Sequence, residues 1–171
     1  LEESIWNDES SKDQNITMKS QIKDWFKLDI PISMDYIDVK KDSLKKFMWI
    51  GRVYPYRWIT IHEIPINSKT KPNYYWEKFD SLISETMPVI EISEYYRTHD
   101  ILKENNNKYL TGVYGHIESH TGGPFVSFII ENEQINKVQF LTGFVNNPGK
   151  PKILMVKELE LIFEHFKIIK N

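Results

Sequence analysis

The stretch Phe47–Met48–Trp49–Ile50 limits the possible folds most sharply. In a strand, successive side chains point to opposite faces of the sheet. Phe47 and Trp49 then face one way, and Met48 and Ile50 the other. A strand that is apolar on both faces belongs inside a sheet covered on both sides. With 171 residues, of which 13% are aromatic, the chain can build one domain with a ring-rich core and no staples.

The segments around this strand supply the rest of the sheet. Ile32, Met34 and Tyr36 alternate with polar residues, which predicts a strand before it. After the turn at 54–57, Ile59 and Ile61 share one face of a returning strand, giving a three-stranded antiparallel meander. Further on, Phe125, Ser127 and Ile129 alternate with Val126, Phe128 and Ile130. Val138, Phe140, Thr142 and Phe144 share a face, with a polar hairpin connection at 131–137. A strand over 109–118 precedes them.

Three segments carry helical spacing. Met18, Ile22, Trp25 and Phe26 predict a helix over 17–28, capped by Thr17 or Asn15, with Pro31 beyond its end. Tyr75, Phe79, Leu82 and Thr86 form a stripe on a second helix, with Asn73 as N-cap and Pro88 as the stop. Met155, Leu159, Ile162, Phe166 and Ile169 step by four, three, four, three on a final helix. The segment 89–108 is ambiguous, with some helix expected before a turn at Asn105–Asn107. Residues 1–15 read as a flexible arm or linker, and 16–171 as a single domain. The order α-βββ-α-(α)-βββ-α predicts an α+β fold: an antiparallel sheet of five to six strands packed by three or four helices.

Composition excludes several chemistries. Net charge is −2, which argues against a nucleic-acid binder built on phosphate neutralisation. With no Cys there is no disulfide, thiolate zinc site or Cys nucleophile within the chain. No apolar run approaches the length of a membrane span, and the given residues show no signal-peptide pattern, which is expected if a targeting signal has been removed. The chain opens at Leu1, not Met, so it is expected to be a mature form or a fragment.

Candidate sites are few. Gly122–Gly123–Pro124 stands between strands, whereas phosphate loops need a helix after the glycines; the glycines are therefore read as a turn. Ser127 lies in a strand outside any nucleophile elbow and is read as a packing residue. His116, Glu118 and His120 fall at i, i+2 and i+4 of an extended chain, a spacing that could offer ligands to zinc. The ordinary reading of that trio is an exposed polar strand end. His62 and Glu63 point to opposite faces, and Arg97, His99 and Asp100 read as a solvated charge cluster. His165 reads as a surface residue, and Asn15–Ile16–Thr17 matches an N-glycosylation acceptor. Tyr54, Tyr56, Arg57 and Trp58 bring together residue types that dominate interaction hot spots, and suit either a recognition tip or turn packing. No catalytic constellation and no cofactor motif emerges.

Two motifs carry a resemblance. Gly122, Gly123, Pro124, Phe125, Val126 and Ser127 form one; Gly143, Phe144, Val145, Pro148, Gly149 and Lys150 form the other. With Leu159 and Glu160 on the last helix, they resemble the C-terminal half of an uncharacterised family of Bacteroidetes cell-envelope lipoproteins, a domain of unknown function. Gly112 and Tyr114 stand where that family has Gly-x-Trp; Thr121 and Thr142 stand where it has Met and Glu. The resemblance implies a bacterial envelope location, in the periplasm or at the outer membrane. It also implies a lipid anchor on a preceding segment. The element order additionally resembles PsbP-like α/β/α sandwiches. The expectation is a non-enzymatic module that binds another envelope protein as an adaptor or complex subunit. The alternatives are a metal-assisted hydrolase using His116, Glu118 and His120, and a carrier of a small ligand.

Overall fold

A computed structural model describes residues 13–67, 73–98, 101–102 and 108–170. In chain order its elements are α1 (Ile16–Phe26), β1 (Leu28–Asp29), β2 (Ile37–Asp42), β3 (Phe47–Arg52), β4 (Tyr56–Pro65), α2 (Tyr74–Thr86), β5 (Ile90–Ile92), β6 (Ile101–Leu102), β7 (Lys108–His116), β8 (Thr121–Asn132), β9 (Lys137–Asn146), α3 (Ile153–Glu164) and β10 (Lys167–Ile168).

Two antiparallel meanders, β2-β3-β4 and β7-β8-β9, lie edge to edge. β9 joins them by pairing with β4 along the whole strand, from Tyr56↔Asn146 to Pro65↔Lys137. The sheet order is β2-β3-β4-β9-β8-β7-β5, with β6 also on β7. This is the expected α+β class, with a wider sheet than the sequence suggested. β1 and β10 form a separate two-stranded ladder.

Both faces of the sheet are covered, as Phe47–Ile50 requires. Met48, Ile50, Ile59, Ile61, Val126, Phe128 and Leu141 pack under α1 and α3. Phe47, Phe125, Ile129, Phe140 and Phe144 pack on the other face under Phe79 and Ile83 of α2. Each large side chain so buried contributes roughly 1.5–3 kcal/mol relative to exposure. Gly143 seats α3: a Cβ there would stand 2.8 Å from Leu159 Cδ1 and 3.1 Å from Phe163 Cζ. Glu158 of α3 binds Arg52 at 2.9 Å and Arg57 at 2.7 Å, tying the helix to β3 and β4.

Local chemistry sets the ends of α1. Asn15 is the N-cap; its side chain accepts from the Met18 N–H at 3.1 Å and donates to the Tyr36 carbonyl at 3.2 Å. Lys27 ends the helix in the left-handed region, with φ 56. Residues 13–15 of the expected arm are tied down, since Asp13 O accepts from Met34 N at 2.7 Å and Gln14 bridges to Ser33. Residues 1–12 lie outside the described residues.

Four sequence readings change. The strand expected from Ile32 begins only at Ile37; Ser33–Tyr36 is a turn that buries Ile32 and Tyr36 and leaves Met34 exposed. The last helix stops at Glu164, because the following residues pair with β1 and the Ile169 N–H reaches the Lys27 carbonyl at 2.9 Å. No helix forms over 89–98; Ile90–Ile92 is a strand on the edge of β7. The stripe on α2 is rotated, so that Tyr74, Trp76, Phe79, Ile83 and Thr86 are buried and Tyr75 and Leu82 flank them. The turn expected at Asn105–Asn107 lies outside the described residues.

The core also holds polar groups. Ser127 and Thr142 share a hydroxyl hydrogen bond at 2.7 Å across β8 and β9. Gln139 donates to the Phe26 carbonyl at 2.6 Å and to Glu63 at 2.9 Å, so it caps the end of α1 from the sheet. His62 is fully buried, and its Nε2 lies 2.8 Å from Thr86 Oγ1. Thr86 itself donates to the Leu82 carbonyl, so His62 Nε2 carries the proton and Nδ1 is bare. Burial pushes the His62 pKa down to about 3.

Two predictions follow from this packing. Gly143→Ala is expected to cost about 1–3 kcal/mol in urea unfolding, because α3 has no room to retreat. Gly115→Ala, where a Cβ would meet nothing within 4 Å, is expected to cost far less. For His62, the native state binds fewer protons than the unfolded state between the ordinary pKa of 6.5 and about 3. Its contribution is therefore complete above pH 6.5 and is lost as pH falls, by at most about 1.4 kcal/mol per unit. His62→Gln is expected to flatten the acid side of the stability–pH curve; an unchanged curve would contradict the buried neutral ring.

Candidate functional site

Most of the residues singled out in the sequence meet at one end of the sheet. The turn after β3, the turn at 117–120 after β7 and the loop after β9 all emerge there. The register places Tyr56 beside Asn146, Trp58 beside Phe144, and His116 beside Thr121.

Gly122, Gly123 and Gly112, like Gly143, serve close approach. Gly122 and Gly123 lie inside β8, not in the turn, which is a correction to the sequence reading. A Cβ on Gly122 would overlap the Tyr114 carbonyl oxygen, and one on Gly123 the Val145 carbonyl oxygen. His120, with φ 50, makes the left-handed corner that was assigned to the glycines. Tyr114 donates its hydroxyl to that same Val145 carbonyl at 3.1 Å, and burial raises its pKa. A Cβ on Gly112 would stand 2.9 Å from the Phe125 ring, which stacks on Phe79. Pro148 and Gly149 follow β9 on the surface, and Gly149 takes φ 70 in open space. Ser127 is buried against Thr142 and takes no part in the surface.

The aromatic tip divides. Tyr54 and Tyr56 are 53% and 41% exposed. The Tyr56 and Trp58 rings lie 6.3 Å apart at 35°, while Tyr54 is turned 84° from Tyr56. Trp58 lies over Gly51, where any Cβ would come within 2.8 Å of the ring. Arg57 points to the opposite face and is held by Glu158, so it leaves the tip. Tyr54 donates to Asn147 Oδ1 at 3.3 Å, and the Lys150 ammonium stands 5.6 Å from its ring.

The histidines are placed apart from a metal set. His116 Nδ1 accepts from the Ser119 N–H at 3.2 Å, and its ring packs 6.1 Å from Trp58. Glu118 and His120 are exposed in the turn. No group of three or more metal-ligating side chains gathers among the described residues. His62, which the sequence left without a partner, is a buried packing residue. His165 is exposed and close to the Leu161 carbonyl, and Asn15 is occupied as a helix cap. Arg97 is held by Asp80 at 2.8 and 3.1 Å and lies 4.6 Å over the Trp76 ring; His99 and Asp100 lie outside the described residues.

A second surface lies along the β5 edge of the sheet, next to His116, which pairs with Ile90. A groove of about 780 Å³ runs between α2 and the segment 90–97, with Ile83, Ile90, Ile92 and Tyr114 among its lining residues. Ser93 N–H bonds to the Val113 carbonyl and Ile117 N–H to the Val89 carbonyl. Residues 89, 91 and 93 therefore face β7; the Ile90 N–H is taken by the Met87 carbonyl at 2.8 Å, and the Ile90 carbonyl and the backbone groups of Ile92 face outward. Glu91 and Glu94 are exposed along this edge, followed by Tyr95 and Tyr96 at 77% and 82% exposure. No local pattern signals this groove, because the segment 89–108 reads as ambiguous, with some helix expected.

Among the described residues, no helix is long and apolar enough to cross a membrane. No curated protein has a significantly similar sequence. Among solved structures, a point mutant of protein Mog1 aligns with a TM-score of 0.56 at 7% identity, covering 85% of this chain and 92% of that one. At that identity the likeness shows a common fold and nothing about activity. Residues 14–165 match the family described as a domain of unknown function, DUF4837, and the chain belongs to that family.

Proposed function

We propose that this chain is a non-enzymatic binding module of the bacterial cell envelope, tethered by a lipid on a preceding segment. In this reading it acts as an adaptor that holds an extended segment of another envelope protein. The observation that carries the reading is the groove along β5, where the outward-facing carbonyl of Ile90 and the backbone groups of Ile92 run beside the side chains of Ile83 and Ile90. An incoming strand gains main-chain hydrogen bonds from such an edge and side-chain selectivity from the pockets beside it. Glu91 and Glu94 favour a segment that carries Lys or Arg.

The contrast between the two sheet edges supports the choice. β2 carries Lys40 and Lys41, a register shift between Asp38 and Lys40, and an ion pair from Lys41 to Asp38 at 2.7 Å. Lysines and bulges discourage strand addition. β5 has neither between Ile90 and Ile92. Arg97 makes a firm wall for the groove, since Asp80, the Ser93 carbonyl and the Trp76 ring all hold it.

The test is selection of peptides from a random displayed library on the purified chain. Enriched peptides are expected to alternate apolar and basic residues. Ile92→Pro, which removes an outward N–H, and the pair Glu91→Lys with Glu94→Lys are each expected to weaken them at least tenfold. Enriched peptides that bind both variants as tightly as the parent would refute the edge.

A further inference from the structure

The aromatic end of the sheet carries polar groups that its own packing leaves unused. Asn146 is only 6% exposed; its Nδ2 donates to Thr121 Oγ1 at 2.9 Å, and its Oδ1 has no partner. A buried polar atom without a hydrogen bond costs free energy and calls for an explanation. Asn146 stands directly across from Tyr56, on the same face as the Tyr56 and Trp58 rings. His116 also packs against Trp58, with ring centroids 6.1 Å apart. Its Nδ1 accepts from Ser119, so the neutral ring carries its proton on Nε2 and offers it as a donor.

We propose that Tyr56, Trp58, Asn146 and His116 form a binding site for a neutral carbohydrate. A sugar ring presents an apolar C–H face and a rim of hydroxyls. The C–H face suits the two rings, inclined at 35° and 6.3 Å apart. Tyr and Trp combine apolar area with a polar edge, which fits such a ligand. Each hydroxyl both donates and accepts, so one rim satisfies the Asn146 acceptor and the His116 donor together. Other ligand classes fit less well. A purely apolar ligand would leave Asn146 Oδ1 unpaired. An anion would set its lone pairs against that same oxygen. A few convergent polar groups beside rings are the ordinary make-up of a specific small-ligand site. This inference rests on Tyr56, Trp58 and Asn146, none of which lines the β5 groove, and on His116, which stands beside that groove as the strand partner of Ile90.

The experiment is direct. The purified chain is applied to an array of neutral oligosaccharides of glucose, mannose and N-acetylglucosamine, with sulfated and uronic-acid oligosaccharides as controls. The best neutral binder is then titrated against tryptophan fluorescence. At least one neutral oligosaccharide is expected to bind, quench or shift the emission, and outcompete its sulfated counterpart. Tyr56→Ala and His116→Ala change partly exposed side chains and leave the core intact; each is expected to weaken binding at least tenfold. Asn146→Leu is expected to do the same, and a monodeoxy analogue lacking the paired hydroxyl is expected to bind at least tenfold more weakly to the parent. Failure of every neutral oligosaccharide at millimolar concentration would overturn the proposal. So would binding that Tyr56→Ala and His116→Ala both leave unchanged.

Discussion

A sheet that is apolar on both faces must be covered on both faces, and the remaining architecture follows from that. α1 and α3 shield Met48, Ile50, Phe128 and Leu141; α2 shields Phe47, Phe125 and Phe140. The three short helices among the described residues cannot roof a sheet this wide. Among the described residues, the β5 edge beyond α2 and the end of the sheet beyond Trp58 are open, as is the lysine-bearing β2 edge. The first two openings carry the chemistry argued above for binding: outward backbone groups at one, rings with an unpaired amide oxygen at the other.

The shared motifs make sense as devices for layer contact before they make sense as ligand sites. Gly143 admits Leu159 and Phe163, and Gly122 and Gly123 let β8 run close under neighbouring carbonyls. Glu158 then fastens the helix layer to Arg52 and Arg57. That rigidity matters for recognition, since a binding surface set on strands holds its side chains better than one set on loops. Trp58 is such a case: it is fixed between Trp49, Tyr114 and the bare backbone of Gly51.

What could be read from the sequence was local. Alternation in Phe47–Ile50 and Phe125–Ile130 gave strands covered on both sides, and four-residue steps gave α1 and the core of α3. What could not be read was set by distant partners. Phe166 and Ile169 continue a helical spacing, yet the chain turns to pair with Leu28 and Asp29. Ile90–Ile92 has an apolar pattern short enough for helix or strand, and the open edge of β7 decides it. Gly122 and Gly123 looked like a turn because the carbonyls they approach belong to Tyr114 and Val145, which no local pattern reveals. The candidate tip was partly legible: Tyr54, Tyr56 and Trp58 stood out as rings. Asn146 and His116 reach them only through strand pairing, so that part of the site needed the fold.

The central claim is that one rigid sheet carries two separate binding surfaces. It is tested most directly by amide chemical-shift mapping of the isotope-labelled chain with two probes: a synthetic peptide alternating Ile and Lys, and an N-acetylglucosamine oligomer. The account expects two sets of shifted amides that do not overlap. One is centred on Ile92–Arg97 with Asp80 and Ser84 of the groove lining; the other is centred on Tyr54–Trp58 and Asn146. Shifts from both probes that fall on one common set of residues, or that spread through the core around Phe128 and Leu141, would contradict it.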